Sequence, residues 1–206
     1  MADFRKQEGL VYKEFRRDLH LYKDKEIDES QYLGGIDFGF TNPTGIVCVK
    51  KDNRGVYWVS DEYYEKEKTD AQIAEVVQAY QFNKVYPDPE NPGAIKEMKE
   101  RGVNCCEVNK GKDSVTNGIQ KIRELMLQGR LKISVNCVNL IFEFEQYHYP
   151  VKAVEGNEKE LPVKENDHLL DALRYIILMD AQTVEIKQYN TWLTGIARES
   201  QPNPAR

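Results

Sequence analysis

The sequence predicts an α/β domain, a mixed β-sheet flanked by helices, and three observations carry that class. Three β-rich segments, at about 32–38, 44–50 and 56–63, follow one another across short turns. Helix-period and strand-like segments then alternate from residue 70 to 108. The last long apolar pattern, at about 166–180, has a helical repeat. Consecutive strands followed by alternating helices and strands fit one sheet with helices packed on it. The 206 residues suffice for one such domain with flanking segments.

Taken in order, residues 1–30 are charged and mixed and read as a lead-in segment rather than an independent core. The three strands are rich in Ile, Val, Tyr and Trp, and Asn42-Pro43 and Asp52-Asn53-Arg54-Gly55 mark the turns of an antiparallel meander. A helix over 70–81 carries a capping-box pattern at Thr69 and Gln72 and an apolar stripe of Ile73, Val76, Val77 and Tyr80. A short strand ends at Asp88. Pro92 opens the next helix, which runs to about Arg101 and is closed by Gly102. Val103 to Val108 reads as another strand, and helices follow at about 114–128 and 137–147. Residues 149–164, with Glu155-Gly156-Asn157 at the tip, read as an exposed β-hairpin. Leu169, Ala172, Leu173, Ile176 and Ile177 form the stripe of the final helix. The main domain is therefore expected over 31–180, with 181–206 a polar, flexible tail.

Composition narrows the function. Hydrophobic residues make up 40% and charged residues 31%, with no apolar run long enough to span a membrane. The N-terminus lacks the apolar stretch of a signal peptide, so a cytosolic protein is expected. None of the four cysteines forms a C-x-x-C pair, which argues against a zinc site, and adjacent Cys105 and Cys106 are expected to be one buried and one exposed strand residue. The net charge of −5 argues against a strongly basic nucleic-acid coat, so any grip on DNA must come from local patches and bound metal.

The chemistry lies in acidic residues at element ends. Asp37 closes an apolar strand in Gly34-Gly35-Ile36-Asp37-Phe38-Gly39, and Asp88 closes another in Tyr86-Pro87-Asp88-Pro89-Glu90. Asp167 and Asp171 share a helix face, with His168 beside them. Magnesium and manganese take oxygen ligands, and carboxylates on strand ends and a facing helix hold such ions rigidly. The spacing leaves ordinary readings open: Asp37 and Asp88 as turn formers, Asp167 as a solvated helix cap, His168 as a surface or packing residue.

The sequence context favours the first reading. Gly35-Ile36-Asp37-Phe38-Gly39-Phe40-Thr41-Asn42-Pro43-Thr44, Tyr86-Pro87-Asp88-Pro89-Glu90-Asn91-Pro92 and Val163 to Tyr175, which contains Asn166-Asp167-His168-Leu169-Leu170-Asp171, resemble in order and spacing the three nuclease motifs of tailed-phage large terminases. Gly9 to Phe15 resembles the segment that links ATPase and nuclease in that family, and the likeness covers about residues 8–180. It implies a ribonuclease H-like mixed sheet with an added hairpin, and an endonuclease that cuts double-stranded DNA with little sequence specificity. It implies Asp37, Asp88 and Asp171 as ligands of Mg2+ or Mn2+, two ions in all, with Asp37 bridging. Asp167 and His168 are then accessory catalytic residues, and Glu90 a weaker candidate. Lys110 and Lys112 before a helix, and Lys152 and Lys164 of the hairpin, are the candidate DNA contacts. Tyr147, His148 and Tyr149 are read as packing residues. The implied partners are a terminase ATPase domain, the small terminase, and portal or procapsid, in the cytoplasm of the infected host cell.

One departure stands out. The phosphate-loop pattern G-x-x-x-x-G-K-[ST] is missing, since the only Gly-Lys pair, Gly111-Lys112, is followed by Asp113. The chain is therefore expected to cut DNA without driving translocation, as an excised domain or a separately encoded piece. Two rivals keep parts of the pattern. A junction resolvase or transposase would use the same metals on another DNA. An actin- or Hsp70-like ATPase fragment would use Gly35 to Asn42 as a phosphate loop, but 206 residues are too few for two such lobes.

Overall fold

The computed structural model describes residues 9–150 and 161–180. Within them, β1 (Leu21–Tyr22), β2 (Glu29–Asp37), β3 (Thr44–Asp52), β4 (Tyr57–Glu65), β5 (Lys84–Pro87) and β6 (Leu131–Ser134) form one sheet in the order β1-β6-β4-β3-β2-β5. The helices are α1 (Arg17–His20), α2 (Asp70–Tyr80), α3 (Pro92–Glu100), α4 (Ser114–Leu127), α5 (Val138–Gln146) and α6, at 168–180.

The expected meander is present as β2, β3 and β4, antiparallel throughout. Its second turn is built by Asp52, whose Oδ1 accepts the Arg54 and Val56 amides, each at 2.9 Å. Gly55 there takes φ +76°, which favours glycine. The capping box of α2 forms as read, with Gln72 N–H on Thr69 Oγ1 at 3.3 Å and Thr69 N–H on Gln72 Oε1 at 3.0 Å. β5 and β6 pair parallel to β2 and β4, which makes the sheet mixed.

Three features differ from expectation. The segment 103–108 is not a strand: it joins β5 by a single bridge, with Val85 N–H on Asn104 O and Cys106 N–H on Val85 O. The next outward-facing group along β5 would be the amide of Pro87, which has no N–H, so the ladder stops there. Cys105 and Cys106 are both half-buried, packed against opposite layers, so neither is the exposed member. Short strands β1 and β6 were not expected. Four residues of Leu131-Lys132-Ile133-Ser134 carry little periodic signal, and β1 exists only by pairing with them.

Side-chain alternation divides the core in two. Leu33, Val47 and Val49 face the layer of α4, α5 and α6. Ile36, Ile46 and Cys48 face α2 and α3, with Ile73, Val77 and Met98. The lead-in segment contributes to the first layer, because Val11 and Tyr12 are fully buried and Val11 N–H donates to Tyr147 O at 3.0 Å. Tyr147 is buried and Tyr149 half-buried, so these two act as packing residues, whereas His148 is exposed. Most of the expected hairpin, and the tail from 181, lie outside the described residues.

Helix α6 is buried on nearly every side rather than along one stripe. Such a helix is expected only in the middle of a core, and its charges need partners there. Arg174 pairs with Asp171. Asp180 accepts Lys51 Nζ at 2.5 Å and the Tyr57 hydroxyl at 2.8 Å.

Candidate active site

Two glycines fix how closely α6 approaches the sheet. A Cβ on Gly35 would sit 2.1 Å from the carbonyl oxygen of Ala172, so only glycine admits the helix against β2. One strand over, a Cβ on Gly45 would meet the His168 backbone at 3.2 Å. The first turn of α6 therefore lies over the ends of β2 and β3. The parallel pairing of β2 and β5, with Ile36 opposite Pro87, sets Asp37 and Asp88 side by side, and Asp88 N–H donates to Ile36 O at 2.8 Å.

A cleft of about 1040 Å3 opens here, and Asp37, Asp88, Asp167, His168 and Asp171 all line it. Sequence positions as far apart as 37 and 171 thus converge. His168 Nδ1 bonds Asp37 Oδ2 at 2.8 Å. Burial pushes the Asp37 carboxyl up to about 6, against the lowering effect of His168 and with reinforcement from the charges of Asp171 and Asp88. The bond to Asp37 in turn raises His168 above its ordinary value, with burial opposing. Asp167, only 8% exposed, is not the solvated cap of the alternative reading; burial, then the charge of Asp171, raises its carboxyl.

Asp88 is held differently. Its Oδ2 accepts Lys110 Nζ at 2.6 Å and the Tyr175 hydroxyl at 2.7 Å, and its Oδ1 accepts the Glu90 amide at 2.8 Å. Burial alone would push it up, but these hydrogen bonds outweigh burial and keep it below the usual carboxylate range. Asp171 is engaged by Arg174, whose stem lies where a Cβ on Gly118 would sit.

This donor set fits a hard divalent cation in chemistry. The carboxylates are acceptor-only groups whose negative charges raise one another's proton affinity, and a cation relieves that repulsion. Among the described residues no three such side chains are already gathered into a coordination shell.

The expected lysine contacts separate. Lys164 lines the cleft. Lys110 also lines it, but its ammonium is spent on Asp88 and on Glu90, at 2.9 Å, rather than left free for a phosphate. Lys112 is exposed and outside the cleft lining. Lys152 lies outside the described residues. Sequence reasoning missed Lys66 and Lys68, which line the cleft from the loop after β4. It also missed Arg174, although an arginine three residues after an aspartate on one helix was a readable signal.

Glu143 was missed as well. It is 1% exposed, and its Oε2 accepts the Leu170 amide at 2.9 Å. That bond ties α5 to the first turn of α6. Burial pushes its carboxyl up to about 8, so it is mostly protonated at neutral pH. A lone glutamate inside the apolar run Leu140-Ile141-Phe142-Glu143-Phe144 was the available clue.

A mixed sheet whose strand ends and buried helix gather carboxylates in one cleft defines a ribonuclease H-like domain. The family model described as the terminase RNAseH like domain matches residues 37–178, and the chain belongs to that family. The large terminase subunit of Escherichia phage T5 is 31% identical over 194 residues, covering 84% of this chain and 42% of its own length. The large terminase of a thermophilic bacteriophage superposes with a TM-score of 0.74 at 26% identity, over 82% of this chain and 45% of that one. The nuclease domain of the P22 large terminase gives 0.70 at 22% identity, over 84% and 93%. The large terminase nuclease of a second thermophilic phage, G20c, solved with bound magnesium, gives 0.61 at 15% identity, over 81% and 95%. The chain thus spans less than half of the longer relatives and nearly all of the nuclease domains, and the last two share the fold.

Proposed function

We propose that this chain is a divalent-metal-dependent endonuclease domain that hydrolyses phosphodiester bonds of double-stranded DNA with little sequence preference, as the nuclease part of a packaging terminase. The observation that carries the reading is the convergence of Asp37, Asp88 and Asp171 on one cleft whose wall also bears Lys66, Lys68 and Lys164. Two nuclease domains of the same fold, one of them solved with magnesium, support it.

Asp37, Asp88 and Asp171 would hold Mg2+ or Mn2+, two ions in this proposal. Bound ions would supply an activated water and charge stabilisation at the leaving oxygen. The protein's own part is positional and electrostatic. Asp37 lines the cleft while its Oδ2 is fixed by His168. Arg174 and Tyr175 orient Asp171 and Asp88 from the buried side. Lys110 neutralises Asp88 and Glu90. Lys66 and Lys164, with Lys68 once it leaves its ion pair with Glu65 at 3.1 Å, supply sequence-independent attraction to a backbone.

The wider assignments belong to the same proposal: an ATPase domain, small terminase and portal or procapsid as partners, in the cytoplasm of an infected host. The test is plasmid cleavage with manganese, magnesium or excess chelator, using wild type beside Asp37→Asn. Metal-dependent cutting that the substitution removes supports the reading; cutting in chelator, or by the substituted protein at the wild-type rate, overturns it.

A further inference from the structure

The cleft has an exposed aromatic that hydrolysis alone leaves unexplained. Phe40, 60% exposed, stands in the loop between β2 and β3 and forms part of the cleft wall. A single exposed aromatic is ordinary on a protein surface. Phe40 differs in two respects, the fixity of its loop and the charge around it.

The loop is pinned from both sides. The buried Thr44 hydroxyl accepts Gly39 N–H at 3.1 Å and donates to Gly39 O at 2.7 Å. Glu67 N–H donates to Phe40 O at 2.9 Å, which fastens the loop to the segment carrying Lys66 and Lys68. The turn is tight enough that a Cβ on Gly39 would lie 2.5 Å from Asn42 O. The backbone that carries the phenyl ring is thus held in place, three residues from Asp37, in a cleft lined also by Lys66, Lys68 and Lys164.

We propose that Phe40 is a nucleic-acid contact whose ring stacks against a base of the strand entering the cleft, while the three lysines hold its phosphates. This rests on the nuclease reading above. The lysines answer the phosphates, whereas a phenyl ring offers a phosphate nothing. The aromatic's natural partner in DNA is a base face, and apolar side chains inserted at a base step unstack and bend the duplex. Such a contact accepts any base, because every base has a π-face. It therefore steadies DNA beside the carboxylates without imposing a sequence.

The experiment uses a short duplex containing 2-aminopurine, titrated in manganese with the Asp37→Asn protein so that the DNA stays whole. Binding is expected to change the 2-aminopurine fluorescence. Adding Phe40→Ala should weaken binding about tenfold and remove that change, and Phe40→Trp should restore both. The slope of log Kd against log salt should be the same for Phe40→Ala, whereas Lys66→Ala should lower it by about 1 and keep the fluorescence change. Unchanged affinity and fluorescence in Phe40→Ala, with wild type cutting plasmid normally, would overturn the Phe40 assignment alone. A wild-type protein that neither binds the duplex nor cuts plasmid would overturn the nuclease reading and this assignment with it.

Discussion

Asp37 and His168 bind each other across 131 residues of sequence, and their pairing sets the pH behaviour expected of the site. At the proposed site an ion would bind the carboxylate, not the acid, so protonation of Asp37 would compete with metal. With its carboxyl near 6, manganese affinity measured by calorimetry should fall as pH drops from 7.5 to 5. His168 lowers the Asp37 value, so His168→Ala should move that fall to higher pH. Glu143 gives a separate signature in stability. Its carboxyl rises from 4.5 to about 8 on folding, so the folded state favours the proton. Stability from this source is complete below about 4.5 and is lost as pH rises toward about 8. Melting temperature should decline over that window in wild type and decline less in Glu143→Gln, whose amide oxygen still accepts the Leu170 N–H. Equal slopes would mean that Glu143 is ionised in the folded protein.

Helices α5 and α6 share a device that local sequence does not supply. The residue before α5, Cys137, makes no side-chain cap. Glu62 of β4 caps it instead, with Oε1 on the Asn139 amide at 2.8 Å and Oε2 on the Leu140 amide at 2.9 Å. Glu143 of α5 then accepts an amide from the first turn of α6. Negative or polar acceptors at helix N-termini satisfy free amides and oppose the positive end of the dipole. The result is a chain of fixed points from the sheet to α5 to the helix that carries Asp171. Glu62→Ala is expected to cost about 1.5–3 kcal/mol, read by urea denaturation, because it strips a charged acceptor from two amides. Gly35→Ala should cost at least about 1–3 kcal/mol as an overpacked contact, since the obstacle is the backbone carbonyl of Ala172 and not a side chain that can swing away. A fully stable Gly35→Ala protein would show that α6 can lift from β2.

At the scale of the molecule, the cleft forms where β2 and β5 end together and α6 begins. Repulsion among its carboxylates is a stability cost that ions would relieve. Manganese is therefore expected to raise the melting temperature of wild type, by binding the folded state alone, and to do so much less for Asp37→Asn or Asp171→Asn. An equal shift in all three proteins would put the ion elsewhere. Net charge is −5, and the cleft lining holds seven carboxylates beside four lysines, so a proposed nucleic-acid ligand would depend on bound cations as well as on the lysines.

The meander, the capped α2, the helix opened by Pro92 and the apolar helix ending at 180 were legible in the sequence because each rests on local rules: turn residues, caps and periodicity. The motif context likewise singled out Asp37, Asp88, Asp167, His168 and Asp171, and all five meet in the cleft. Other features were decided only by tertiary structure. β1 and β6 are too short to announce themselves and exist through pairing with each other and with β4. The strand expected at 103–108 is reduced to one bridge because the edge of β5 lacks a donor at Pro87. Lys110 reads as a phosphate contact in a loop, but folding brings it within 2.6 Å of Asp88, where a nearby carboxylate wins over solvent. Glu143 and Arg174 become buried once α6 is enclosed, Glu143 accepting the Leu170 amide and Arg174 pairing with Asp171. Sequence specifies what a segment does with its neighbours in the chain. Which charges lose their water, and what they find instead, depends on contacts between residues far apart along it.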